Sequence, residues 1–224
     1  MFEAVLFDLD GTIADTAPDL GAATNRLRQE QGLPPVALAT LRPYTSQGVR
    51  GLLHAGFGIT SDHSEYERLS ARFLALYETN LCVDTALFPG IPELLDRLEQ
   101  GRIPWGIVTN KRTRYTAPLV AALGLAARTI CVVSGDTTAA PKPSPLPILY
   151  ACELLNADPG NTLYVGDDRR DIKAGRAAGT RTAAVSYGYL GDSGPVDAWD
   201  ADFIADHPDD IAEFVFSAGQ RENC

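Results

Sequence analysis

The chain has 224 residues, 45% of them hydrophobic, and a formal net charge of −10; this is the make-up of a globular protein with a sizeable core and excludes disordered or collagen-like structure. The acidic balance, with no basic run longer than Lys111-Arg112, argues against nucleic acid as a partner, which needs a cationic footprint. No apolar stretch approaches the roughly 20 residues of a membrane span, and Met1-Phe2-Glu3 runs straight into a strand without a basic and apolar leader, so the expected location is the cytoplasm.

Residues 3–8 read as a strand whose apolar run Ala4-Val5-Leu6-Phe7 is closed by Asp8-Leu9-Asp10-Gly11-Thr12. Thr16 with Asp19 resembles a capping arrangement, and Pro18 is tolerated in a first helical turn. The helix so opened stops near Gly32-Leu33-Pro34-Pro35. Further helical patterns cover 38–53 and 65–81, and no strand is expected within this insertion. Linkers fall near 15–17 and 83–88. From residue 86 onward, strand-like runs at 103–108, 129–134, 162–165, 180–186 and 202–205 alternate with helical patterns at 91–100, 115–123, 146–155, 171–178 and 208–216. Non-alternating apolar strands separated by helices predict a parallel sheet covered on both faces. The first strand belongs to that sheet, so the helices are an insertion after it: core 1–15 and 85–224, helical cap 16–84. Cys82, Cys131, Cys152 and Cys224 form no C-x-x-C pair and are expected to be reduced, Cys131 and Cys152 as small core residues and Cys224 as a terminal passenger.

Ligands of open parallel sheets collect beyond the carboxyl ends of the strands. At those ends stand Asp8 and Asp10, then Thr109-Asn110-Lys111, then Lys142-Pro143 in a loop, then Gly166-Asp167-Asp168. Aspartate oxygens without His or Cys favour a hard cation, and Mg²⁺ is bound by one or two carboxylates together with phosphate oxygens and water. Lys142 suits a phosphate oxygen as a point charge, and Thr109 and Asn110 suit others as hydrogen-bond donors. A carboxylate in that company attacks phosphorus, and a neighbouring one serves as acid and base.

Asp8-Leu9-Asp10-Gly11-Thr12, Val108-Thr109-Asn110, Lys142-Pro143-Ser144-Pro145 and Gly166-Asp167-Asp168-Arg169-Arg170-Asp171 resemble, in order and spacing, the four motifs of the haloacid dehalogenase-like hydrolase superfamily. The resemblance spans nearly the whole chain. It implies an α/β fold, a Rossmann-like parallel sheet core with a helical cap inserted after the first strand. It also implies Asp8 as nucleophile and metal ligand, and Asp10 as acid and base with its backbone carbonyl on the metal. Thr109 and Lys142 would hold the phosphoryl group, Asp167 would be a further Mg²⁺ ligand, and Asp171 would support the metal's water shell. Dehalogenating relatives lack an acid at the position of Asp10, and phosphonate-cleaving relatives use a cap lysine. Residues 16–84 contain no lysine, so dephosphorylation is favoured; a phosphosugar mutase and a non-catalytic phosphate-ligand binding protein are the alternatives.

At finer grain, Trp105 to Lys111, Ala178 to Val185, Tyr187-Gly188-Tyr189 and Trp199 with Asp206-His207-Pro208 are similar to the phosphoglycolate phosphatase group, and within it to the N-acetylmuramic acid 6-phosphate phosphatases. The implied substrate is a small phosphorylated metabolite carrying a carboxylate, handled by a monomer or weak homodimer. Arg42, Arg50 and Lys111 are candidates for that carboxylate, since arginine matches it bidentately. Asp15 is expected to act locally, as an acceptor at the hinge, and Arg169 and Arg170 to begin a helix and pair with nearby acids. Asp168, where many relatives have Ser, would either alter metal affinity or face solvent.

Overall fold

Four consecutive apolar residues without polar alternation need cover on both faces, and strand β1 (Ala4–Phe7) has it, all four being buried. In the computed structural model, which describes residues 2–217, the chain continues through a short strand β2 (Ala14–Asp15), helices α1 (Ala17–Glu30) and α2 (Leu38–Leu41), a 3₁₀ segment (Arg42–Gln47), α3 (Gly48–Phe57) and α4 (Tyr66–Glu78). It then forms β3 (Ala86–Leu87), α5 (Ile91–Gln100), β4 (Trp105–Val108), α6 (Thr113–Ala122) and β5 (Cys131–Val133). Last come α7 (Leu146–Leu155), β6 (Thr162–Gly166), α8 (Arg169–Ala178), β7 (Arg181–Val185), β8 (Phe203–Ala205) and α9 (Pro208–Ser217).

Six strands make one parallel sheet in the order β5-β4-β1-β6-β7-β8. This is the α/β core that the sequence predicts. Val5 pairs with Trp105 on one side of β1 and with Leu163 on the other. The order reverses at β1, so the carboxyl ends of β4, β1 and β6 border the crevice where such sheets bind ligands. Alternate residues of β1 serve opposite layers. Val5 and Phe7 pack with Leu94, Leu95 and Leu98 of α5, Leu119 of α6 and Val215 of α9, whereas Leu6 packs with Ile148 and Cys152 of α7 and Ala174 of α8. Helix α5 shows the local cause: Ile91, Leu94, Leu95 and Leu98 fall on one face and are all buried. Each such side chain contributes about 1.5–3 kcal/mol relative to exposure.

The inserted helices have an apolar cluster of their own, built from Leu20 and Leu27 of α1, Leu52 and Leu53 of α3, and Phe73 and Tyr77 of α4, with Tyr115 of α6 reaching in from the sheet side. Among the described residues no helix is long and apolar enough to cross a membrane.

Two expectations are corrected and one element is added. The helix expected over 38–53 is broken into α2, the 3₁₀ segment and α3, because Pro43 supplies no N–H and Gly48 takes a positive φ of 62°. At the linkers the chain forms a two-stranded ribbon that the sequence does not announce, Ala14 with Leu87 and Asp15 with Ala86, too short to leave a periodic signal. Thr16 does not cap α1; its hydroxyl donates to Asp10 Oδ1 at 2.6 Å. Asp19, buried, instead accepts from the backbone N–H groups of Val83, Asp84 and Thr85 and from the Thr85 hydroxyl, which ties the outgoing linker to the returning one. Cys131 and Cys152 are buried free thiols; burial pushes Cys131 up to about 11 and raises Cys152. Cys224 lies outside the described residues.

Candidate active site

Adjacent strands deliver the site. β1 runs into Asp8, β4 into Thr109, β6 into Asp167, and the loop after β5 carries Lys142 across to them. Lys142 is buried, its Nζ 2.9 Å from Asp8 Oδ1 and 2.7 Å from Asp171 Oδ1. The ammonium also donates to the Val108 carbonyl at 2.9 Å and to the Tyr164 hydroxyl at 2.7 Å. Tyr164 in turn donates to the Val108 carbonyl. Burial would favour the neutral amine, but Asp171 and Asp8 outweigh it and raise the Lys142 pKa, so the charge is kept. Asp8 moves the other way: burial is the largest influence and, against Lys142, pushes its carboxyl up from 3.8 to about 6.

Asp167 is fully buried. It accepts from the Thr12 hydroxyl at 3.2 Å, the Ser46 hydroxyl at 2.8 Å and the Tyr189 N–H at 2.8 Å. Burial, then the charges of Asp8 and Asp171, hold it well above the usual carboxylate range. Oxygens of Asp8, Asp167 and Asp171 lie within 4.8 Å of one another. Asp8 Oδ1 is buried with no hydrogen-bond donor aligned on it. Three buried carboxylates facing one ammonium leave a negative deficit that a hard cation would fill.

The approach of the Gly11 backbone makes this packing possible. Gly11 has a φ of +87°, and a Cβ there would fall 2.0 Å from Asp167 Oδ2. Gly11→Ala is therefore expected to cost about 1–3 kcal/mol of stability and, by displacing Asp167, to lower activity about tenfold or more. A urea midpoint and a turnover rate both unchanged from the wild type would show that the loop relaxes without harm.

Asp10 stands apart from that cluster. Its Oδ1 takes the Thr16 hydroxyl and, at 2.8 Å, the Lys111 ammonium, which also lies 4.9 Å from the Tyr77 ring centroid. Burial works against the charge on Lys111, but Asp10 more than compensates and raises its pKa. At the ribbon, Asp15 accepts from the Tyr189 hydroxyl at 2.6 Å and from Arg42 Nη1 at 3.0 Å. Asp8, Asp10, Thr109, Lys111, Lys142 and Asp171 line a cavity of about 260 Å³ together with Thr45 to Val49, Leu20, Phe73, Leu74, Tyr77 and Tyr115.

The description "haloacid dehalogenase-like hydrolase" belongs to the family whose sequence profile matches residues 5–185. The chain belongs to this family. Among its relatives, an N-acetylmuramic acid 6-phosphate phosphatase of Pseudomonas aeruginosa is 44% identical over 95% of this chain and 94% of its own. A phosphoglycolate phosphatase of Xanthomonas campestris pv. campestris is 43% identical over 94% and 95%. A crystal structure of a predicted phosphoglycolate phosphatase from Haemophilus somnus superposes with a TM-score of 0.83 at 27% identity, covering 95% of this chain and 97% of that one. Within the family the chain thus groups with phosphatases, which are phosphoric monoester hydrolases.

The structure brings Asp8, Thr109, Lys142, Asp167 and Asp171 together, and places Asp10 in the same cavity with its carboxylate outside the Asp8–Asp167–Asp171 group. Asp171 is held by Lys142 and by the Asp168 N–H at 3.0 Å. Asn110 lines the cavity, and its carboxamide holds the Lys142 backbone, donating to the carbonyl and accepting from the N–H. It positions Lys142, and one of its two amide hydrogens is left for a phosphate oxygen. Arg42 and Arg50 are not on the cavity wall; Arg42 is engaged by Asp15, and Arg50 is exposed on α3. Asp168 is the N-cap of α8 in a capping box with Asp171 and pairs with Arg170 at 2.8 Å; burial would raise its pKa, but the Arg170 hydrogen bond and charge lower it. Sequence reasoning misses the parts played by Tyr164, Ser46 and Tyr189. Tyr164 sits in an apolar strand where nothing marks its hydroxyl, whereas Ser46 lies in the Thr45-Ser46-Gln47-Gly48 segment between the two arginines.

Proposed function

We propose that this hydrolase removes phosphate from a small carboxylate-bearing monoester through an aspartyl-phosphate, and that the ester is N-acetylmuramic acid 6-phosphate. The observation that carries the chemistry is the buried Lys142 ammonium joining Asp8 and Asp171 beneath a cavity that also holds Asp10 and Thr109. Asp8 would attack phosphorus. Lys142 would neutralise charge on the transferring group, and Thr109 would donate its hydroxyl proton, since its Oγ1 already accepts from the Lys111 N–H. Asp10, on the cavity wall, would protonate the leaving oxygen and then take a proton from water. Asp8 and Asp167, with Asp171 beside them and the Asp10 backbone carbonyl, would hold Mg²⁺; the buried group of three carboxylates and the all-oxygen donor set fit that ion. When bound, the ion would supply charge neutralisation for the phosphoryl oxygens. Residues 16–84 would act as the cap that excludes water and reads the substrate, over a core of 1–15 and 85–224.

For the substrate, the cavity wall is the discriminating feature. Phe73, Tyr77 and Tyr115 with Leu20 and Leu74 offer apolar faces to a sugar ring, which a two-carbon ester would leave largely uncovered. The 44% identical relative from Pseudomonas aeruginosa supports the same choice. The test is kcat/KM for N-acetylmuramic acid 6-phosphate, phosphoglycolate and β-glucose 1-phosphate, with EDTA and with Mg²⁺. The expected result is Mg²⁺-dependent release with a preference of about a hundredfold, or about 2.7 kcal/mol, for the muramic acid ester. The reverse preference would move the substrate to phosphoglycolate, and no release from any ester would overturn the hydrolase reading of the site.

A further inference from the structure

A substrate carboxylate needs a cation, and four cationic side chains line the cavity: Lys111, Arg112, Lys142 and Arg170. Three already have partners. Lys142 holds Asp8 and Asp171, and Lys111 holds Asp10. Arg170 clasps Asp168 through Nε at 2.9 Å and Nη2 at 2.8 Å, and donates from Nη2 to the Ser46 carbonyl at 2.8 Å. Each of these charges is thus already opposed by at least one carboxylate of the site. Among the described residues the Arg112 guanidinium makes no ion pair or hydrogen bond. The nearby acid, Asp136, accepts the Thr113 N–H and hydroxyl on Oδ1 at 2.9 and 2.7 Å and feels the charge of Arg112 without forming an ion pair with it.

Arg112 is placed for the task by its backbone. It is the extended N-cap residue of α6 (φ −68°, ψ 148°), directly after the Thr109-Asn110-Lys111 turn that ends β4. The residue is exposed yet is among those lining the cavity, which puts Arg112 at the rim. A planar fork of donors without an intramolecular partner matches a carboxylate bidentately. We propose that Arg112 binds the substrate carboxylate and is the residue that sets specificity for acidic esters. This assignment rests on the phosphomonoesterase reading of the site.

The test separates the two. N-acetylglucosamine 6-phosphate has the ring and phosphoester of N-acetylmuramic acid 6-phosphate without the lactyl ether and its carboxylate. The ratio of kcat/KM for the muramic to the glucosamine ester is measured in wild type, Arg112→Met and Arg112→Lys. Arg112→Met is expected to lower that ratio about tenfold or more, about 1.4 kcal/mol, mainly through KM, with partial recovery in Arg112→Lys. If the wild type prefers phosphoglycolate, the same ratio is read between phosphoglycolate and ethyl phosphate. An unchanged ratio, or an equal fall for both esters, overturns the role of Arg112 while leaving the phosphatase reading intact. A wild type that releases phosphate from none of these esters overturns both.

Discussion

Asp8→Asn is expected to abolish turnover while the fold survives. The amide keeps the shape of the side chain but carries no anionic oxygen, so phosphate release should fall by at least about 10⁴-fold, the scale seen when a covalent nucleophile is removed. The same variant should change how metal-free stability responds to pH. Asp8 titrates near 3.8 when free of these neighbours and at about 6 in the folded chain, chiefly through burial. Between those values the native state holds more protons than the unfolded state, so the stability Asp8 contributes is complete below about pH 4 and is lost as pH rises through about 6. Urea midpoints in EDTA across this range should decline less steeply in Asp8→Asn than in the wild type. Asp167, shifted in the same direction, keeps some of the slope in both. Wild-type turnover in the variant would reject Asp8 as nucleophile, and parallel midpoint curves would reject its raised pKa.

Lys142→Met is expected to cost both activity and stability. The methionine fills the space of the lysine stem but leaves Asp8 and Asp171 buried without the ammonium now 2.9 and 2.7 Å away. Removing one partner of a buried pair typically costs about 3–5 kcal/mol. In a chain of this size each kcal/mol lowers Tm by about 2–4 °C. Because burial already raises the Asp8 carboxyl to about 6, the damage should be smaller at pH 5 than at pH 7.5, where Asp8 would have to stay ionised without its partner. Adding Asp171→Asn to Lys142→Met should restore part of the stability and none of the phosphate release. Thermal unfolding of the single and double variants at both pH values decides the matter. A single variant as stable as the wild type at pH 7.5 would show that Lys142 does not balance these acids.

The parts of the site that were legible in the sequence are those where chemistry comes directly from position on a strand. Asp8, Thr109 and Asp167 each stand one step past a buried apolar run, and a parallel sheet sends the ends of β1, β4 and β6 to one crevice. Lys142 was legible from its Lys-Pro loop within the same motif order. Less was visible where a side chain had competing partners. Arg42 and Arg50 look equivalent along the chain, yet one is held by Asp15 and the other is exposed away from the cavity. Asn110 reads as a phosphate donor, yet its carbonyl and one of its two amide hydrogens hold the Lys142 backbone.

By itself, then, the sequence determined the α/β layering, the insertion of helices after the first strand, and which acids and which lysine meet, because strand burial and strand-end position are properties of local pattern. Only the tertiary structure decided how each polar group is spent. Ser46 and Tyr189 reach Asp167 across 121 and 22 residues, and Asp19 stitches the two linkers across 64 to 66. The ribbon of β2 with β3 arises in the same way, from pairing between segments distant in the chain, whereas the break over 38–53 follows from Pro43 and Gly48 within it. Hydrogen bonds and ion pairs of this kind depend on distances of a few tenths of an ångström between such segments, and no local periodicity records them.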